Sequence, residues 1–194
     1  MAIRHVAVLG AGVMGCGIAA HLSNAGVEVT LLDRPLGESP DGGGLAAQAL
    51  QGALSADPAP FMHRRNARLI RTGNLRDDLG LLAEADWIIE AVVERLDVKR
   101  DLYARVDRVR RPGSIVSSNT STIPLAQLNL GASESFRRDF MVTHFFNPPR
   151  YMRLLELVPG PETRADAVQA IRDFCDHALG KTVVACNDTP GFIA

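Results

Sequence analysis

The 194-residue chain is 46% hydrophobic and 22% charged with a formal net charge of −1, the balance of an ordinary globular protein long enough for one sizeable core. No block of like charge is long enough for a nucleic-acid or membrane-surface footprint, and no apolar run reaches membrane-spanning length. Cys16, Cys175 and Cys186 are odd in number and lack metal-ligand spacing. They argue against a disulfide framework or a metal site, and with no signal-like segment before the first strand the expected compartment is the cytoplasm.

Ile3 to Leu9 is rich in Val, Leu and Ile with almost no charge, which predicts a central parallel strand buried on both faces. It ends in Gly10, Gly12 and Gly15, spaced G-x-G-x-x-G, before a helix-like run from Val13 to Ala25 that Gly26 closes. The first glycine permits a tight turn, the second lets backbone approach a pyrophosphate, and the third lets the helix pack closely on the strand. The helix N-terminus then offers free N–H groups and its positive dipole end.

A second strand, Glu28 to Leu32, leads to Asp33, placed where an acid meets a ribose 2′-hydroxyl and repels a 2′-phosphate, so NAD is expected rather than NADP. Candidate cofactor contacts are Gly10, Gly12, Val13, Met14, Gly15 and Asp33. Arg34 is read as solvated.

Pro35, Gly37, Pro40 and Gly42 to Gly44 predict a flexible surface loop, and Leu45 to Leu54 an alanine-rich helix. The stretch from Asp57 to Arg76 is basic, with His63, Arg64, Arg65, Arg68, Arg71 and Arg76. A polyanionic handle would suit it, but a solvated face is the commoner explanation. Leu69 to Thr72 fits a short strand. Trp87 to Val93 fits a buried strand running into a loop punctuated by Glu90 and Glu94; like charges four apart on a helix repel. Leu96, Leu102, Tyr103, Val106 and Val109 mark one face of a helix from Arg95 to Val109, and Ile115 to Ser117 is the next strand. Alternating strands and helices imply an α/β fold with a doubly wound, mostly parallel sheet, ligand lying beyond the strands' carboxyl ends.

Six small polar residues, Ser117 to Thr122, sit at such an end. Contacts to a ligand and a turn capping a helix near Pro124 are both consistent with them. Phe140 to His144 is a further strand, Pro148 and Pro149 force a turn, and Met152 to Val158 returns. Glu156 in that apolar strand needs a partner. His144 would become an oriented base if paired with it, whereas Arg150 or Arg153 would make a structural ion pair.

The glycine loop, EAVVERLDVK from Glu90, SSNTSTIPL from Ser117, HFFNPPRYMRLLE from His144 and the terminal DTPGFIA resemble the NAD-binding domain of L-3-hydroxyacyl-CoA dehydrogenases. The Pro148, Pro149, Arg150, Tyr151 form is most similar to the bacterial multifunctional fatty-acid oxidation type. The resemblance implies a Rossmann-type fold and oxidation of L-3-hydroxyacyl-CoA to 3-ketoacyl-CoA with NAD. It makes His144 the base, Glu156 its orienting carboxylate, Ser121 a donor to the substrate oxygen and Asn147 a neighbour of the active site. Glu94, Lys99 and Ser121 would line the cofactor and substrate cleft.

The stretch from Gly37 to Arg68 matches poorly where family members contact CoA, so no CoA-binding residues follow from it. In the family the final motif continues into an asparagine, an arginine and a helical dimerisation domain. The resemblance therefore implies that residues 1–194 are the NAD-binding domain of a longer protein, a homodimer or part of a fatty-acid oxidation complex. A dehydrogenase of another 3-hydroxy acid, or an NAD-binding module without turnover, remain the alternatives.

Overall fold

The computed structural model describes residues 2–37, 44–189 and 191–193. Among the described residues eight strands form one sheet in the order β3-β2-β1-β4-β5-β6-β7-β8. They are β1 His5–Leu9, β2 Glu28–Asp33, β3 Ile70–Asn74, β4 Trp87–Glu90, β5 Ile115–Ser118, β6 Phe140–Phe145, β7 Leu154–Pro159 and β8 Thr182–Ala185. The first six run parallel to one another; β7 pairs antiparallel with β6, and β8 is parallel to β7.

Helices cover both faces. The alternation along β1 decides which side each residue joins. Val6 and Val8 pack with Ile18 and Leu22 of α1 (Val13–Asn24), Leu50 of α2 (Gly44–Ala53) and Ile171 of α6 (Ala165–His177). Ala7 and Leu9 pack with Leu102 and Val106 of α3 (Leu96–Val109), Leu125 of α4 (Leu125–Leu128) and Phe136 of α5 (Glu134–Asp139). Buried on both sides, the central strands need the near-continuous apolar sequence they have.

The expected strands and long helices are present within a residue or two. The expected loop at Pro35 to Gly44 falls largely outside the described residues, at positions 38–43. The basic stretch is a short 3-10 helix, Arg64–Leu69, followed by edge strand β3, with Arg64, Arg65, Arg68, Arg71 and Arg76 exposed. The returning strand begins at Leu154 rather than Met152, because the Met152 N–H is taken up by the preceding turn, donating to the Pro148 carbonyl. Among the described residues no helix is long and apolar enough to cross a membrane, and no group of three His, Cys, Asp or Glu could hold a metal ion.

The sheet order reverses at β1, whose neighbours β2 and β4 lead away in opposite directions. A crevice opens there at the carboxyl ends of the strands, the usual ligand position in open α/β sheets.

Candidate active site

The antiparallel register of β6 and β7 sets His144 directly opposite Glu156. Their side chains share a face, and His144 Nδ1 lies 2.7 Å from Glu156 Oε2. Glu156 is fully buried, and its second oxygen accepts the Ile193 N–H at 2.9 Å. These two donors offset the cost of placing a carboxylate in an apolar strand. A carboxylate only accepts, so Nδ1 carries the proton and Nε2 is left as acceptor. Neither arginine competes: the Arg150 guanidinium donates to the Ala59 and Phe61 carbonyls, and Arg153 is exposed. Phe146 and Phe192 flank the imidazole, with ring centroids 4.6 and 6.0 Å away.

The polar run after β5 divides in two. Ser117 is a core residue, accepting from Trp87 Nε1 at 2.9 Å and bonded to the Thr143 hydroxyl at 2.7 Å. Ser118 donates to Glu90, and Thr120 and Thr122 donate to Glu94. The Thr120 hydroxyl also accepts the Ile123 N–H, so part of this run is the capping turn. Ser121 alone of the hydroxyl residues here is exposed with no hydrogen bond through its side chain among the described residues. Asn119 Oδ1 accepts the Phe145 N–H at 2.8 Å and so ties the end of β5 to the residue after His144. Asn147 is exposed one turn beyond.

The glycine loop fits a dinucleotide. A Cβ on Gly15 would lie 1.8 Å from the Gly10 carbonyl oxygen, so only glycine lets α1 sit this close to the strand. Among the described residues a Cβ on Gly12 would meet nothing within 4 Å, so none of them requires glycine there, and the space is open on that side to a ligand. No side chain caps α1 at Gly12, and Val13 is 75% exposed. The first-turn N–H groups are thus left for an anion. Asp33 ends β2 beside this loop, its two oxygens accepting the Ala11 N–H at 2.5 Å and the Arg34 N–H at 2.6 Å. Each oxygen keeps a lone pair for a hydroxyl. Arg34 is exposed, as expected.

Glu94 stands on the rim of the crevice past β4. Burial pushes its carboxyl up, but the Thr120 hydroxyl, the Lys99 ammonium and the Thr122 hydroxyl together outweigh that and hold it below the ordinary carboxylate value. Lys99, expected on the cleft wall, lies beneath it: it is 1% exposed, 2.6 Å from Glu90 Oε1 and 3.0 Å from Glu94 Oε2. Its α3 position turns inward between the two acids.

Sequence reasoning missed the layer below. Glu90 is fully buried and accepts from Lys99, Val92 N–H, Tyr103 at 2.5 Å and Ser118 at 2.6 Å. Burial, and then the Glu90 charge, push the Tyr103 hydroxyl well up. Asp188 was missed too: its carboxylate caps α4 by accepting the Leu125 and Ala126 N–H groups at 2.7 and 3.1 Å. A lone acid in an apolar strand was the available signal for Glu90, as it was for Glu156. An acid before Thr-Pro gives no sign that its partner is 63 residues away.

A groove of about 460 Å³ opens between the glycine loop and the turn after β6, with Gly12, Cys16, Ala49, Pro58, Asn147 and Pro148 among its walls. Cys16 is a packing residue there, its thiol pushed up to about 11 by burial.

A profile described as 3-hydroxyacyl-CoA dehydrogenase, NAD binding domain, matches residues 5–189. A Deinococcus radiodurans protein named "Probable 3-hydroxyacyl-CoA dehydrogenase" is 50% identical over all 194 residues, which span 56% of that relative. A Rickettsia felis protein provisionally named a fatty acid oxidation complex trifunctional enzyme is 40% identical over 192 residues, covering 99% of this chain and 27% of its own length. The crystal structure of 3-hydroxybutyryl-CoA dehydrogenase from Escherichia coli K12 superposes with a TM-score of 0.83 at 30% identity, covering 100% of this chain and 40% of that one. The chain thus spans about half or less of these relatives. With the glycine loop, Asp33 and the sheet crevice in place, the match over residues 5–189 shows that this chain belongs to the family of NAD-binding domains of 3-hydroxyacyl-CoA dehydrogenases and that its cofactor is NAD.

Proposed function

We propose that residues 1–194 form the NAD-binding domain of a longer enzyme that oxidises L-3-hydroxyacyl-CoA to 3-ketoacyl-CoA in fatty-acid oxidation. The observation that carries this is the His144–Glu156 pair, 2.7 Å apart and set at the carboxyl end of β6. A module that merely held a dinucleotide would need neither residue. Bound NAD+ supplies the hydride acceptor. His144 Nε2 takes the hydroxyl proton as the substrate carbon gives up its hydride, and the Glu156 carboxylate holds the resulting imidazolium in place. The exposed Ser121 hydroxyl and Asn147 carboxamide are the donors for the substrate oxygen. In reverse, the imidazolium returns the proton.

The groove beside Asn147, apolar except for a few polar groups, suits the acyl-CoA arm. Gly10, Gly12, Val13, Met14, Gly15 and Asp33 hold the cofactor's phosphates and adenosine ribose, and Glu94 meets its other half. Free cysteines at 16, 175 and 186 suit a reducing compartment, and we place the enzyme in the cytoplasm. The parent assembles as a homodimer or within a fatty-acid oxidation complex.

The test is NADH oxidation with acetoacetyl-CoA, measured on this chain and on the same protein extended to its natural C-terminus. Turnover in the longer form alone supports the reading, with the remainder of the protein completing the site. NADH binding without turnover in either form, on short and long acyl chains alike, would turn the assignment to another 3-hydroxy acid.

A further inference from the structure

The turn that follows His144 is held from two sides. Residues 147–152 close on themselves, with the Tyr151 and Met152 N–H groups donating to the Pro148 carbonyl, both at 3.0 Å. On one side Gly17 of α1 makes room for it: a Cβ there would lie 2.9 Å from Pro149 Cδ. On the other side Lys181, just before β8, reaches in and donates to the Pro149 carbonyl and, at 2.7 Å, to the Met152 carbonyl. Its ammonium lies 5.6 Å from the centroid of the Phe145 ring, next in the chain to His144.

Lys181 is 3% exposed, and these two carbonyls are the only hydrogen-bond partners of its ammonium among the described residues. A buried cation without a counter-ion is expensive, and hydrophobic packing alone would have been the cheaper way to fill the space. Its charged neighbourhood is sparse. From α1 comes His21, buried, with Nε2 3.1 Å from the Leu179 carbonyl and Nδ1 without a partner among the described residues. From α6 comes Cys175, whose thiol burial pushes up, while the Arg150 charge of the turn bears on His21. Among the described residues none of these is a carboxylate. Burial accordingly lowers the Lys181 amine to about 8, against a small opposing effect of Cys175.

We propose that Lys181 is a positioning residue: its ammonium pins the turn that carries Asn147 and braces His144, and loss of its proton loosens that turn. The proposal rests on the dehydrogenase reading only for its kinetic consequence. A neutral amine keeps two donors but loses the charge assistance that makes such bonds about twice as strong.

Stability moves the other way. The folded value, about 8, lies below the unfolded 10.5. Between them the unfolded chain binds more protons, so this group makes the fold more stable as pH rises. Grip on the turn and global stability therefore part company above pH 8, which a purely structural lysine would not do.

The experiment follows KM for acetoacetyl-CoA, kcat and the thermal midpoint of the full-length protein from pH 7 to pH 10, in wild type, Lys181→Arg and Lys181→Met. We expect KM of wild type to rise about tenfold above pH 8, on the loss of charge assistance to the two bonds. Lys181→Met should show the raised KM at every pH and no alkaline limb, and Lys181→Arg, which cannot deprotonate, should keep KM flat. An alkaline rise in Lys181→Met equal to that of wild type overturns the proposal. The Met152 methyl resonance of the unliganded protein gives an independent readout. It should titrate near pH 8 in wild type and not in Lys181→Met, and a Met152 signal indifferent to pH refutes the clamp even if no acyl-CoA is turned over.

Discussion

Replacing Glu156 with Gln tests the proposed chemistry with little disturbance of shape. The carboxylate is wholly buried and has two donors, His144 Nδ1 at 2.7 Å and the Ile193 N–H at 2.9 Å. In the amide, oxygen keeps the Ile193 N–H, because the opposite flip would set two N–H donors against each other. The amide nitrogen then donates to Nδ1, the imidazole proton moves to Nε2, and the nitrogen that should accept the substrate proton already carries one. Losing a hydrogen bond to a charged group costs about 1.5–3 kcal/mol, or roughly 10- to 150-fold in rate. Tautomer reversal in the His–carboxylate pair of a serine protease costs on the order of 10⁴ in kcat. We expect kcat of the full-length enzyme to fall between about 10² and 10⁴-fold, with NAD+ affinity by calorimetry changed less than about twofold. An isosteric swap that removes a buried charge leaves the thermal midpoint level or higher. If kcat stays within about fivefold of wild type while the protein remains folded, Glu156 does not orient a base and the proposed chemistry fails.

The glycine loop separates folding from binding. Gly15→Ala should destabilise the domain by about 1–3 kcal/mol or more in urea unfolding, since its Cβ would sit 1.8 Å from the Gly10 oxygen. Gly12→Ala, with nothing within 4 Å, should unfold like wild type yet lose NAD+ binding; equal effects on stability from the two would contradict the assignment. Asp33→Ala should weaken NAD+ by about tenfold in calorimetry and narrow its preference over NADP+, and an unchanged preference would remove Asp33 from the ribose. Burial, reinforced by the Lys181 charge, lowers His21 from 6.5 to about 4, so the unfolded chain binds the extra proton first as pH falls. Wild type should lose about 3 kcal/mol between pH 7 and pH 4 through this group, a loss that His21→Gln should not share. Parallel pH curves for the two in urea titrations would refute that.

How much of this was legible follows from how local each cause is. Strand β1, the glycine loop and α1 are written within about one βαβ half, where composition and spacing decide the outcome. His144 and Glu156 were legible because an acid inside an apolar strand demands a partner, and a proline turn sets the register that supplies one. Helix α6 and strand β8 went unpredicted although their signals exist: Ala167, Ile171 and Cys175 recur at four-residue intervals on the buried face, and Thr182 to Ala185 is β-branched at three of its four positions in keeping with an edge strand. Lys181 was a different matter. The reason a lysine stands before that strand is the pair of carbonyls it meets, 32 and 29 residues upstream, and no local pattern encodes such a contact.

The same distinction explains why Lys99 lies beneath the crevice rim. Two carboxylates, Glu90 and Glu94, share one ammonium, which leaves a formal charge of −1 on the group. Glu90 is closed off by Tyr103, Ser118 and the Val92 N–H, so it has no capacity left for a ligand. Glu94, with 38% of its side chain exposed, is where the unneutralised charge meets the crevice. Its carboxyl is held below the ordinary value by Thr120, Lys99 and Thr122 against the opposing pull of burial, so the charge persists at neutral pH. Side chains from β4, α3 and the β5 edge thus converge on the placement of one rim carboxylate. Buried ion pairs add little stability for their desolvation cost, so stability does not account for the group. On the proposed assignment of Glu94 to the cofactor, a fixed negative charge beside a dinucleotide crevice does, and the proposed site then extends one full layer beneath the residues a ligand can touch.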